Sequence, residues 1–173
     1  MRLIDYGLNN SSRLLIEINL DCFFSIVYNT IMQRLEAIID TNVLLSGLNS
    51  RNGKAFKILE ALSEDKFNIS ISVPLVLEYE SILKKKLNRT IYSDEDIRSV
   101  IDYICKIGRH IKVFYLWRPI LKDPYDDHLL EVAVAANAKW IVTYNVKDFE
   151  RTSNFGINAV PPYEFLKVLE EDK

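Results

Sequence analysis

Four groups of acidic residues are spaced widely enough to come from different elements of a fold. They are Asp40, then Glu78 with Glu80, then Asp123, Asp126 and Asp127, and finally Asp148 close behind Asn145. Carboxylates gathered in one place repel one another and raise each other's pKa unless a cation neutralises them. Hard oxygen ligands select Mg2+ or Mn2+ over zinc or copper. Such a site activates water and braces the leaving oxygen of a phosphodiester. Each acid also has a plainer explanation on its own. Asp40 would be an Asx turn or cap, Asp123 and Asp126 helix-start residues, Glu78 an exposed helical charge, and Asp148 a turn residue. Only convergence on one place outweighs those explanations, and convergence depends on the elements between them.

The chain alternates short apolar runs with longer amphipathic ones. Strands are expected at Leu35–Asp40, Asn68–Ser72, Ile111–Tyr115, Trp140–Thr143 and Ile157–Val160, the last at an edge. Helices are expected at Lys54–Ser63 and from a cap at Ser72 to about Leu87. A third runs from a capping box at Ser93 and Asp96 to Ile107, ended by Gly108. A fourth has Asp123 as N-cap and Pro124 at its first position, and stops at Asn137. The last covers Tyr163–Leu169. The stretch from Ser46 to Lys54 is expected to be a polar connection. Strands alternating with helices predict an α/β fold: a three-layer αβα sandwich around a mainly parallel, Rossmann-like sheet of about five strands.

In that topology the carboxyl ends of the strands and the amino ends of the following helices share one rim. Asp40, Asp123, Asp126, Asp127 and Asp148 all fall there. Glu78 is preferred to Glu80 because each further residue retreats about 1.5 Å along the helix. Asp123 is occupied by capping, which leaves Asp127, deeper in its helix, as the better ligand candidate. The expected metal-binding set is therefore Asp40, Glu78, Asp127 and Asp148.

Composition narrows the class. With 22 basic and 24 acidic residues the net charge is −2, so nucleic-acid binding would need a local patch. The densest cluster of cations, Lys84 to Lys86 with Arg89, is explained by the dipole at a helix carboxyl end. Cys22 and Cys105 have no metal-like spacing, and His110 and His128 form no zinc pattern. A reduced, cytoplasmic protein without a membrane anchor is expected. Leu14 to Met32 is apolar, but Glu17 and Asp21 interrupt it, and no small-residue cleavage site follows. Residues 1–31 are therefore set apart as an extension, either an added element or an over-long start, ahead of a self-sufficient domain at 32–173.

Several segments together resemble the PIN-domain nucleases, and in particular the VapC-related toxins of prokaryotic toxin–antitoxin pairs. The segments are Ile38–Ser46, Ser72–Pro74 leading to Leu77–Glu80, Asp123–Asp127 with Leu130 and Ala133, Ile141–Asn145 with Asp148 and Phe149, and Pro161–Leu166. The resemblance spans Leu35 to about Leu169. It implies a PIN-like fold and metal-dependent hydrolysis of RNA, with water as nucleophile and Asp40, Glu78 and Asp127 as the principal acids. Asn42, Ser46 and Thr143 would be supporting polar groups. The fourth acid would fall at Asn145 or at Asp148. A homodimer and a small antitoxin partner are implied as well.

Three alternatives remain. A phosphatase with an Asp nucleophile after its first strand needs a second Asp two residues on, and Asn42 stands there. A catalytically silent PIN-like module that binds RNA or protein is disfavoured by the retained acids. A nuclease of DNA or of RNA processing would use the same metal site and differ only in the shape of its groove.

Overall fold

The computed structural model of the protein describes residues 34–171, so the expected extension at 1–31 lies outside the described residues. Its centre is a five-stranded parallel sheet ordered β3-β2-β1-β4-β5. The strands are β1 (Glu36–Ile39), β2 (Asn68–Ile71), β3 (Arg109–His110), β4 (Trp140–Val142) and β5 (Asn158–Val160). The helices are α1 (Thr41–Asn49), α2 (Lys54–Ser63), α3 (Val73–Lys86), α4 (Asp94–Ile107), α5 (Asp127–Ala136) and α6 (Pro162–Glu171). A 3-10 stretch, Val146–Phe155, joins β4 to β5.

The order of the strands decides where a ligand can bind. The chain moves outward from β1 through β2 to β3, then returns to the other side of β1 for β4 and β5. The reversal leaves a crevice beyond the carboxyl ends of β1 and β4, the usual ligand position in open α/β sheets. β1 is central, and its Ala37, Ile38 and Ile39 are buried. Helix α5 lies across β1, β2 and β4 and buries Leu129, Leu130, Val132, Ala133 and Ala136.

Local chemistry explains most boundaries. Ser72 accepts the Leu75 N–H at 3.5 Å and starts α3. Ser93 and Asp96 form a reciprocal capping box on α4. Asn137 ends α5 in the left-handed conformation. Gly108 follows α4 with φ −76°, so a left-handed cap is not its role. A Cβ there would lie 2.8 Å from the Ile104 carbonyl oxygen and 2.9 Å from Ile71 Cδ1, so close packing of α4 on β2 requires glycine.

Three expectations are corrected. The expected polar connection from Ser46 to Lys54 is helical as far as Asn49, the end of α1 (Thr41–Asn49), which buries Val43, Leu44 and Gly47. Gly47 brings α1 so close to α2 that a Cβ would meet Leu59 Cδ1 at 2.6 Å. The third strand is Arg109–His110 rather than Ile111–Tyr115. Polar contacts hold it, since Arg109 Nε donates to Ser70 at 3.3 Å and pairs with Glu36 at 3.5 Å. The following residues Phe114, Tyr115 and Leu116 are exposed. Asp123 does not cap α5; it accepts the Tyr125 N–H at 2.9 Å, and the helix begins at Asp127.

Candidate active site

Asp40 stands where β1 becomes α1. Its backbone N–H donates to the Val142 carbonyl at 2.9 Å, and its own carbonyl starts the helix by accepting from Val43 at 2.9 Å. The carboxylate is buried and heavily solvated by protein. It accepts from the Asn42 amide at 2.8 Å and from the Asn42 N–H at 3.2 Å. The Thr143 hydroxyl, just past β4, donates to it as well. Burial pushes the Asp40 carboxyl above its ordinary pKa and Glu78 adds to that, while Thr143, Asn42 and His128 pull the other way.

Glu78 reaches the crevice from the second turn of α3. The neighbouring Tyr79 is buried and donates its hydroxyl to the Ile39 carbonyl, which locks α3 to the end of β1. Burial opposes ionisation of Glu78, but His128 and Thr41 outweigh it and hold its pKa below the ordinary value. Thr41 donates to Oε1 at 2.6 Å, and His128 Nε2 lies 2.8 Å from Oε2. That approach is too oblique for a well-aligned hydrogen bond, so the pairing is chiefly one of charge. His128 Nδ1 donates to the Tyr125 carbonyl at 2.7 Å. Burial disfavours the charged ring, yet Glu78 and that carbonyl raise its pKa overall. Glu80 points elsewhere and pairs with Lys84 at 2.6 Å.

The acids after β3 divide by one residue. Asp127 is 0% exposed, and its carboxylate accepts from the Leu121 N–H at 2.8 Å and the Ile120 N–H at 3.2 Å. It pins the loop that precedes α5 and does not line the crevice. Asp126 does, together with Asp40, Thr41, Asn42, Ser46, Glu78, Lys86 and Asn145, around a groove of about 490 Å³. Burial first, and then the charges of Asp40, Asp123 and Glu78, push the Asp126 carboxyl up to about 7 against the pull of His128.

The corner after β4 divides in the same way. Asn145 lines the groove, and its N–H donates to Thr143 at 3.0 Å. Asp148 is drawn aside to Lys122 at 3.4 Å. Ser46 lines the groove and meets the Tyr144 hydroxyl at 3.4 Å. The structure thus brings Asp40, Glu78, Asn42, Ser46, Thr143 and Asn145 together as expected, and turns Asp127 and Asp148 away. Sequence reasoning did not single out Asp126, His128 or Thr41. One signal was available for Asp126: it shares a short segment with Asp127, and the two point about 100° apart on a helix.

The donor chemistry of the groove fits a hard divalent cation. Three carboxylates and an amide oxygen are available, and no thiol lines it. Burial chiefly, and then the neighbouring carboxylates, raise the proton affinity of Asp126, and a cation would offset the second of these. As the side chains stand, no three His, Cys, Asp or Glu among the described residues are grouped tightly enough to hold an ion, and Glu78 is engaged by Thr41 and His128.

Among solved structures, the chain is similar to a crystal structure of VapBC2 from Rickettsia felis bound to a DNA fragment from their promoter. The two share 21% identity with a TM-score of 0.51, over 72% of this chain and 97% of that one. At that identity the likeness establishes the fold. A comparison with curated proteins gives no match. A family model described as PIN domain matches residues 36–147, which runs from the first residue of β1 past Asn145 and takes in every groove-lining acid. The chain belongs to the PIN-domain family.

Proposed function

We propose that the protein is a divalent-metal-dependent endoribonuclease and that Asp40, Glu78 and Asp126 hold the metal, with Asn145 as a neutral fourth group. The observation that carries this is the convergence of Asp40, Glu78 and Asp126 in one open groove at the switch point of the sheet. When bound, Mg2+ or Mn2+ would polarise the phosphodiester and lower the pKa of the attacking water. The chain's own residues do the positioning. Thr143 and Asn42 fix the Asp40 carboxylate, Thr41 and His128 fix Glu78, and Lys86 offers a charge to a phosphate oxygen. Asn42 also argues against a phosphatase, because a second carboxylate there would repel Asp40 where the amide now donates to it.

The toxin of a toxin–antitoxin pair is the biological role that fits best, with a small antitoxin as partner and a homodimer as the assembly. Support comes from the similar structure, which is of VapBC2 bound to a DNA fragment from their promoter. Two apolar surfaces suit a protein partner. One is the exposed run Phe114 to Leu116; the other is a cavity of about 300 Å³ lined by Leu44, Leu48, Leu59, Val100 and Tyr103. No helix among the described residues is long and apolar enough to cross a membrane.

The test is cleavage of a mixed-sequence RNA by the purified chain. Activity is expected with Mg2+ or Mn2+, none with EDTA, and recovery when the metal is returned. Cleavage that persists undiminished in EDTA would reject the metal-dependent mechanism.

A further inference from the structure

Asp40 and Glu78 come from different elements, so their separation depends on how α3 is held against β1. Asp40 follows Ile39, the last residue of β1, and Glu78 precedes Tyr79 on α3. The Tyr79 hydroxyl donates to the Ile39 carbonyl. One hydrogen bond thus joins the residue before the first acid to the residue after the second. A second bridge lies on the other side of Asp40, where Thr41 donates to Glu78 Oε1 at 2.6 Å. The two bridges act on different parts of Glu78. Thr41 meets the flexible end of the side chain and fixes where its carboxylate points. Tyr79 meets backbone, and so fixes how far α3 stands from β1.

The sheet leaves a place for that bond. Pairing of β1 with β2 covers Glu36 and Ala37 and stops short of Ile39. Ile39 is buried, and a buried carbonyl needs a partner. The Tyr79 side chain supplies one where the ladder has ended. Ile39 and Tyr79 also both line the apolar cavity of about 300 Å³. A ring beside open volume has fewer neighbours to hold it. The hydroxyl bond therefore contributes more to fixing Tyr79 than it would in a filled core.

Resting on the metal assignment above, we propose that Tyr79 is a positioning residue of the metal site: through the Ile39 carbonyl its hydroxyl sets the spacing of Asp40 and Glu78, and with it the affinity for Mg2+ or Mn2+. Tyr79 does not line the groove, so it acts on the ion only through the two acids.

The test is calorimetric titration of the full chain with Mn2+, beside RNA cleavage at increasing Mn2+. Sucrose, which favours the folded state, is present throughout so that a less stable variant is still measured folded. Tyr79→Phe keeps the ring and removes the donor. It is expected to weaken Mn2+ binding by about 10-fold, the lower end of the loss when an outer-shell partner is removed. Its cleavage should need correspondingly more Mn2+ and approach the wild-type kcat at saturation. Replacing Tyr79 with 4-aminophenylalanine, which returns an N–H donor to the tip of the ring, should restore wild-type affinity. Gly108→Ala disturbs the contact of α4 with β2 and does not line the groove, so it controls for lost stability. It should bind Mn2+ as wild type does. Wild-type affinity in Tyr79→Phe, an equal loss in Gly108→Ala, or no recovery with 4-aminophenylalanine overturns the positioning role and leaves the metal assignment intact. A wild-type chain that binds no Mn2+ overturns both.

Discussion

Asp126 and Asp127 are chemically identical neighbours, one lining the groove and one anchoring a loop, and a pair of isosteric substitutions separates the tasks proposed for them. Asp127→Asn strikes the fold. The carboxylate accepts the backbone N–H groups of Leu121 at 2.8 Å and Ile120 at 3.2 Å from a fully buried position. Replacing it with an amide loses a charge-assisted bond and turns an NH2 group towards a donor, which costs about 3 kcal/mol. For a chain of this size that lowers Tm by about 6–12 °C. Asp126→Asn strikes the chemistry. It removes a carboxylate that Asp40, Asp123 and Glu78 already disfavour, so Tm should hold or rise at neutral pH. RNA cleavage should fall by about 100-fold or more, the loss expected when a group that stabilises transition-state charge is removed. Differential scanning calorimetry and single-turnover cleavage in Mn2+ read the two effects separately. The reasoning is refuted if Asp127→Asn melts as wild type and cuts nothing while Asp126→Asn cuts normally.

Three further outcomes follow from the same geometry. Metal-free protein should lose stability as the pH rises from about 4 to 7. Asp126 is raised in the folded state, so the folded chain binds more protons than the unfolded chain across that window; Asp126→Asn should flatten the Tm profile measured there. With Asp126 about half protonated at neutral pH, Mn2+ binding should release about half a proton from it. Calorimetric titration in buffers of different ionisation enthalpy would show this, and a proton count of zero would contradict it. Gly108→Ala should cost about 1–3 kcal/mol by overpacking α4 against β2, read as a lower midpoint in urea.

The parts of the fold legible in the sequence were those fixed by local chemistry. Lys54–Ser63 was marked by apolar spacing, α4 by the Ser93–Asp96 capping box, and the end of α5 by Asn137. Asp40 and Glu78 were legible as groove residues because parallel topology alone carries strand ends and helix starts to one rim. What escaped depended on contacts distant in sequence. Helix α1 is bound to α2 by the close approach at Gly47, and its opening Asp-Thr-Asn triplet looks like a turn. Strand β3 has no apolar pattern, because Ser70 and Glu36 hold Arg109 in it. The choice between Asp126 and Asp127 rested on where α5 begins, and a start three residues later than expected reverses which carboxylate faces the groove. Likewise Asp148 is claimed by Lys122, on a loop that the sequence does not place.

The most direct test of the metal-nuclease assignment is RNA cleavage by Asp40→Asn beside wild type, in Mn2+ and after EDTA. Asp40 is the residue on which β1, α1, Thr143 and Asn42 all converge. Wild type should cut in Mn2+ and stop in EDTA, while a folded Asp40→Asn, with its melting curve preserved, should cut in neither. Cleavage by folded Asp40→Asn at the wild-type rate would contradict the account.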